Sequence, residues 1–84
     1  MTVAEYSDLA KRRLQDYVDT LAISAVYVDI KADKFYVVLD SDNIFDKSAQ
    51  VWRALEHTVD ILPLSQIYRM PKDLYVCYHQ RRWI

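Results

Sequence analysis

The stretch of residues 25–40, AVYVDIKADKFYVVLD, constrains the fold most, because it holds two strongly apolar alternating patterns back to back. Apolar residues recur at every second position on each side of a short polar turn, which is the period of a half-buried strand. Pairing Ile30 with Phe35 places six large apolar side chains on one face, and a slip of one residue would destroy that face. These six are Val26, Val28, Ile30, Phe35, Val37 and Leu39. The stretch predicts a β-hairpin with one buried face, closed by a four-residue loop at positions 31–34.

A helix is predicted on each side of the hairpin. Thr2 and Glu5 fit a capping box that opens an amphipathic helix running to about Ala22. Asp46 is the expected N-cap of a second helix over residues 47–61, which Pro63 ends. Apolar residues at helical spacing predict the side of this helix that faces the core, which we call its inner stripe. These are Val51, Trp52, Leu55, Val59 and Leu62.

The end of the chain predicts one more strand. Residues 74–80, LYVCYHQ, alternate in the manner of a strand. Residues 64–70 before it are predicted to form an irregular or single-turn connection, with a short edge strand as the alternative. The element order is α-β-β-α-β within a single domain, residues 1–84. Placing the third strand beside the first gives a three-stranded antiparallel sheet of order 2-1-3. Both helices then cover one face, so the predicted fold is a two-layer α+β sandwich.

Composition excludes whole classes of function. The chain has 84 residues, a net charge of −1 and no glycine, so the glycine-rich loops of nucleotide-binding enzymes are absent. No apolar run reaches the length of a membrane span. The single cysteine cannot form an internal disulfide, and the amino terminus does not resemble a secretory signal. A cytoplasmic protein without a cofactor is expected.

Two groups of residues raise the question of catalysis or metal binding. Asp40 and Asp42 follow an apolar strand at a spacing that suits Mg²⁺, but a strand-to-helix turn uses the same residue types. Cys77 and His79 share a strand face, yet two ligands do not make a structural zinc site. We therefore expect no metal and no catalytic residues, and we expect a protein that is not an enzyme.

The reverse face of the sheet carries the most unusual pattern, because three tyrosines are predicted to share it. Tyrosine is frequent in interfaces, since it buries a large area at low entropic cost. The arginines and Trp83 of the tail extend this surface, although Trp83 folding back onto its own core is the alternative. The predicted interface residues are Tyr27, Tyr36, Val38, Tyr75, His79, Arg81 and Trp83.

These residues favour a non-enzymatic protein-interaction module that self-associates as a homodimer or docks on another protein. A merely solvated sheet face remains an alternative. A second alternative is a single-stranded nucleic-acid, or RNA, binding domain that stacks bases on the tyrosines. Its residues would be Tyr27, Tyr36, Tyr75, Arg81 and Arg82. The element order is shared with K-homology RNA-binding domains, but their Gly-x-x-Gly loop is impossible in this chain.

Overall fold

In the computed structural model, which describes residues 1–84, two α-helices and five strands build an α+β fold. The helices are α1 (Val3–Leu14) and α2 (Phe45–Leu55). The strands are β1 (Ile23–Asp29), β2 (Lys34–Leu39), β3 (Val59–Pro63), β4 (Tyr75–His79) and β5 (Arg82–Trp83). Short 3₁₀ helices follow α1 at Gln15–Tyr17 and follow β3 at Leu64–Arg69. The predicted fold class is confirmed, whereas the sheet has two strands more than predicted.

The strands form one mixed sheet of order β3-β2-β1-β4-β5. Its centre, β2-β1-β4, has the predicted antiparallel order with β1 in the middle. The additional β3 pairs parallel to β2, and the additional β5 pairs antiparallel to β4. The prediction of a purely antiparallel three-stranded sheet is therefore wrong in extent and in direction at one edge.

The hairpin of β1 and β2 is two residues out of the predicted register. Phe35 lies opposite Val28 instead of Ile30, and Asp29 lies opposite Lys34. The loop therefore consists of residues 30–33. Two features stabilise it: Asp33 adopts a left-handed conformation (φ 53°), and the Asp29 carboxylate accepts a hydrogen bond from the Ala32 N–H at 3.1 Å. An even shift leaves each side chain on its predicted face.

Helix α1 begins at the predicted capping box. The Thr2 hydroxyl accepts from the Glu5 N–H, and the Glu5 carboxylate accepts from the Thr2 N–H. The helix ends at Leu14, well before Ala22, because the chain must turn into β1. Ala22 forms that turn with a left-handed φ of 54°. Glycine adopts this conformation most easily, but the chain has no glycine, so another residue type takes the position.

Helix α2 ends earlier than predicted, at Leu55, and the last residues of the predicted helix belong to strand β3. The helix already begins at Phe45, so Asp46 lies in its first turn and is not the N-cap. Glu56 ends the helix: it has a left-handed φ of 51°, and its N–H donates to the Trp52 carbonyl. The β-branched residues that follow then enter the sheet as β3, and Pro63 ends this strand instead of the helix.

A β-bulge in β4 reverses part of the predicted face assignment. Tyr78 lies opposite Val26 while Val76 lies opposite Tyr27, which leaves Cys77 as the extra residue. Cys77 and Tyr78 are consequently both buried against the helices, whereas Val76 lies on the reverse face. Tyr75 pairs with Val28 and so belongs to the helix side. The alternation of residues 74–80 predicts Val76 on the helix side and Tyr75 and Cys77 on the reverse face, and the bulge makes all three assignments wrong.

The main core lies between the sheet and the two helices. Its largest fully buried side chains are Phe35, Leu14, Leu21, Leu39, Leu55, Val26, Val28, Val37, Val51 and Cys77. Trp83 packs against this cluster, with its ring 4.7 Å from that of Tyr78. Of the two alternatives for the tail, the structure shows the one in which Trp83 folds back.

The reverse face of the sheet is partly covered, which contradicts the predicted open surface. Val38 is fully buried and Tyr36 is 8% exposed, although both lie outside the helix-side core. The chain runs from β3 to the parallel strand β4 through residues 64–74, and Leu64–Arg69 contacts β2 and β3. The connection from β2 to β3 through α2 runs toward one edge of the sheet, and the connection from β3 to β4 runs toward the other edge. Because both connections join parallel strands and have the same handedness, they must cross opposite faces of the sheet. We call residues 64–74 the crossing segment; it covers Val38 and Tyr36.

Candidate interface

The residues predicted to form one interface are distributed over several surfaces. Tyr36 and Val38 are buried, Tyr27 and Trp83 are half-buried, and Tyr75, His79 and Arg81 are exposed. Tyr75 projects on the helix side, and Arg81 lies 3.4 Å from Asp19 in an exposed ion pair. The structure therefore does not bring the seven residues together.

The residues of the nucleic-acid alternative are also separated. Tyr27 and Tyr36 are cross-strand neighbours on the reverse face, but Tyr36 is buried and the Lys34 ammonium lies 5.2 Å from its ring centre. Tyr75 lies on the other face of the sheet. A platform of three tyrosine rings for base stacking is absent.

The candidate reactive groups lie apart from one another as well. Cys77 is buried, and its burial raises the pKa of the thiol, whereas His79 is exposed. Asp40 and Asp42 are exposed and line a shallow groove with Leu64. No group of three or more His, Cys, Asp or Glu side chains is arranged to hold a metal ion.

Neither α-helix is long and apolar enough to cross a membrane.

Two strongly exposed aromatic side chains lie on α2. Phe45 is 84% exposed and Trp52 is 64% exposed. Both fall on one side of the helix with Ala49, because intervals of four and three residues return to the same face. The prediction that Trp52 belongs to the inner stripe is wrong. We call Phe45, Ala49 and Trp52 the α2 stripe.

Strand β3 presents an unpaired edge next to this stripe. It ends the sheet on the side of β2, and its own outer edge has no partner strand. The Phe35 N–H donates to the Thr58 carbonyl at 2.9 Å, which fixes the orientation of the backbone. By the parallel ladder pattern, the peptide groups of Asp60 and Leu62 face β2, whereas those of Val59 and Ile61 face outward. The outward groups are free to bond another chain.

A groove connects the β3 edge with the α2 stripe. It consists of two adjoining depressions of about 270 and 530 Å³, and Trp52, Val59 and Asp60 line both. The carboxylate of Asp60 lies against the Lys34 ammonium, so the acidic side chain is neutralised within the chain. We call this surface the β3–α2 groove.

One end of the groove is fixed by a polar cluster. The Asp33 carboxylate accepts a hydrogen bond from the buried Tyr6 hydroxyl and lies 3.0 Å from Nε2 of His57, a residue that lines the groove. The bond from Tyr6 is the main cause that lowers the pKa of Asp33, and the same bond raises the pKa of Tyr6. Arg13 donates to the Leu55 carbonyl at the end of α2. These contacts tie α1, the hairpin loop and α2 together beside the groove.

Tyr6→Phe should lower the melting temperature at pH 7, because it removes the hydroxyl while keeping the buried ring. The lowered pKa of Asp33 means that its stabilisation is present above its unfolded pKa and is lost as the pH falls below about 4. The raised pKa of Tyr6 means that its stabilisation is lost as the pH rises above about 10. Calorimetry from pH 2.5 to 11 should show a difference between the two proteins that is largest in between. A difference independent of pH would contradict the assigned bond.

Comparison of the chain with protein-family models, curated proteins and solved structures finds no match. The geometry of the groove is therefore the basis for inferring a function.

Proposed function

We propose that this protein is a non-enzymatic protein-interaction module that binds its partner at the β3–α2 groove. One observation carries the proposal: an unpaired strand edge shares a groove with Trp52, which is 64% exposed, and Phe45, which is 84% exposed, lies on the same side of α2 as Trp52. Addition of an extended strand to such an edge is a common recognition mode, in which the main chain supplies affinity and flanking pockets supply specificity.

The β3 edge lacks most of the features that protect edges from pairing. Monomeric proteins block exposed edges with inward charges, bulges, proline or a covering loop. In β3 the one charged side chain, Asp60, is paired with Lys34, and Pro63 removes a donor only at the last position. Large exposed aromatic groups beside an edge are typical of a surface that a protein partner covers.

The ionisable side chains of the groove support binding over catalysis. Lys34 is paired with Asp60, and His57 is paired with Asp33, so the cation and the imidazole have partners already, and the exposed carboxylate of Glu56 is the one ionisable group of the lining without an ion-pair partner. A catalytic groove would hold a nucleophile together with a base that has access to substrate. The groove instead combines apolar surface with a free backbone, which suits an extended peptide.

Selection from a displayed library of random peptides tests this function. We expect the wild-type protein to enrich apolar peptides of extended conformation, and Ile61→Pro to lose them, because proline removes an outward N–H. Proline is tolerated at an edge position whose N–H faces solvent, so the fold should survive. Val76→Ala, on the other face and a different strand, is the matched control and should retain binding.

An oligonucleotide titration at low and high salt tests the alternative. Nucleic-acid binding that weakens steeply with salt, together with no enriched peptide, would contradict the proposal. The proposal expects no such binding, since the three tyrosines do not share a surface.

A further inference from the structure

We propose that the occupant of the β3–α2 groove is a second copy of this chain, related by a two-fold axis that is perpendicular to the sheet and passes midway between the Ile61 residues of the two copies. The two β3 strands then pair antiparallel, and the two five-stranded sheets become one sheet of ten strands. This inference rests on the proposed function and names its partner.

The outward backbone groups of β3 complement themselves about this axis. With Ile61 opposite Ile61, each residue donates its N–H to the carbonyl of the other, which gives two hydrogen bonds. Val59 then lies opposite Pro63 of the second copy, whose carbonyl accepts the Val59 N–H. Proline has no N–H, and in this register its missing donor falls at the last rung of the ladder. The other outward N–H groups and carbonyls have no partner within the chain.

The helices fit the same arrangement. Helix α2 connects β2 with β3 and shares the groove with β3, so it lies over that edge of the sheet. Strands are spaced about 4.8 Å apart, so helices centred over the two strand pairs would be separated by about 10 Å. Packed helices lie about 8–10 Å apart. Strand pairing and helix packing can therefore form together, with the two α2 stripes facing each other.

Charges flanking the α2 stripe are complementary about the axis. Asp46 and Arg53 are exposed and lie seven residues apart on the outer side of the stripe. In an antiparallel pair of helices the Asp46 of one copy comes opposite the Arg53 of the other, which forms two symmetric ion pairs. On the reverse face Asp60 comes opposite Leu62, so no like charges meet there. The net charge of −1 adds little repulsion between the copies.

The exposed aromatic side chains of α2 supply part of the apolar area that a dimer would bury. Fully burying an aromatic side chain removes about 150–250 Å² from water, so Phe45 and Trp52 together supply on the order of 300 Å² per chain at their present exposure. A stable interface needs about 800 Å² per partner. The edge strand, half-buried Ile61 and the rest of the exposed α2 surface are available for the remainder.

Sedimentation equilibrium of the full chain tests the inference. We expect a monomer–dimer equilibrium, and we expect Ile61→Pro and Trp52→Ser each to give monomers at the same concentration. Circular dichroism of the variants should show folded proteins, and Tyr75→Ser, which lies away from the groove, should leave the dimer unchanged. A wild-type chain that stays monomeric at millimolar concentration, or a dimer that survives Ile61→Pro, would overturn the inference.

A charge exchange tests the two-fold register itself. Asp46→Arg and Arg53→Asp should each raise the dimer dissociation constant about tenfold, since exposed ion pairs contribute little individually but each substitution breaks two of them. The double variant restores opposite charges and should recover most of the affinity. Equal weakening in the double variant would contradict the register. If the chain is monomeric while selected peptides still bind at Ile61, self-association fails and the proposed function stands; if neither binds, both fail.

Discussion

Tyr36→Ser is expected to lower the free energy of unfolding by about 3 kcal/mol or more, because it removes a large buried aromatic ring. Tyr36 is 8% exposed beneath the crossing segment and carries the ammonium of Lys34 over its ring. For a domain of this size such a loss lowers the melting temperature by about 12 °C or more. The total stability of an 84-residue domain is only about 4–13 kcal/mol, so the variant should be marginal.

Tyr75→Ser is the matched control for this substitution. Tyr75 is 53% exposed, so the same chemical change should cost less than about 1 kcal/mol. Urea unfolding of both variants at one protein concentration measures the difference. Equal losses, or a stable Tyr36→Ser protein, would show that the crossing segment does not cover the reverse face.

Val28→Ala is expected to cost about 2–3 kcal/mol through lost burial and the cavity that remains. Val28 is fully buried in the central strand, whereas Val76, in the neighbouring strand β4, is 36% exposed. Val76→Ala removes the same two methyl groups and should cost less than about 1 kcal/mol. The pair thus tests the face reversal that the bulge at Cys77 produces.

Thermal unfolding of these two variants also separates the two face assignments of β4. The alternation of the sequence predicts Val76 in the core and Cys77 outside. If Val76→Ala is as damaging as Val28→Ala, the bulge is absent and the alternation was the correct guide. With the bulge in place, we expect a large loss of stability for Val28→Ala alone.

The central part of the fold was predictable because its signals are local. The capping box at Thr2 and the alternation of the hairpin each act within a few residues, and the even register shift did not move a side chain to the wrong face. The order of the three inner strands followed from placing the third predicted strand beside the first. Hydrophobic periodicity is sufficient for such features.

The edges of the fold were missed because their signals compete. Val59 fits both the helical stripe that starts at Val51 and a strand, and the helix interpretation ignored the left-handed turn at Glu56. No glycine marks that turn, so a usual helix stop was missing from the sequence. Once β3 is assigned, Pro63 becomes a strand end, and the following residues must cross the sheet to reach β4.

The candidate groove was partly visible in the sequence. Phe45, Ala49 and Trp52 have helical spacing of their own, but the stripe through Val51 and Leu55 shares that spacing and accounts for the core. Only the position of β3 decides which stripe faces inward. The tyrosine pattern was misleading because tyrosine also packs well in buried positions, as Tyr36 and Tyr78 do here.

Amide hydrogen exchange along β3 tests the central claim most directly, because neighbouring peptide groups point in opposite directions. The amides of Asp60 and Leu62 bond to β2 and should be protected at every protein concentration. The amides of Val59 and Ile61 face outward and should become protected only as the concentration rises or a selected peptide is added. Rapid exchange of Val59 and Ile61 under all these conditions would contradict an interface at the β3 edge.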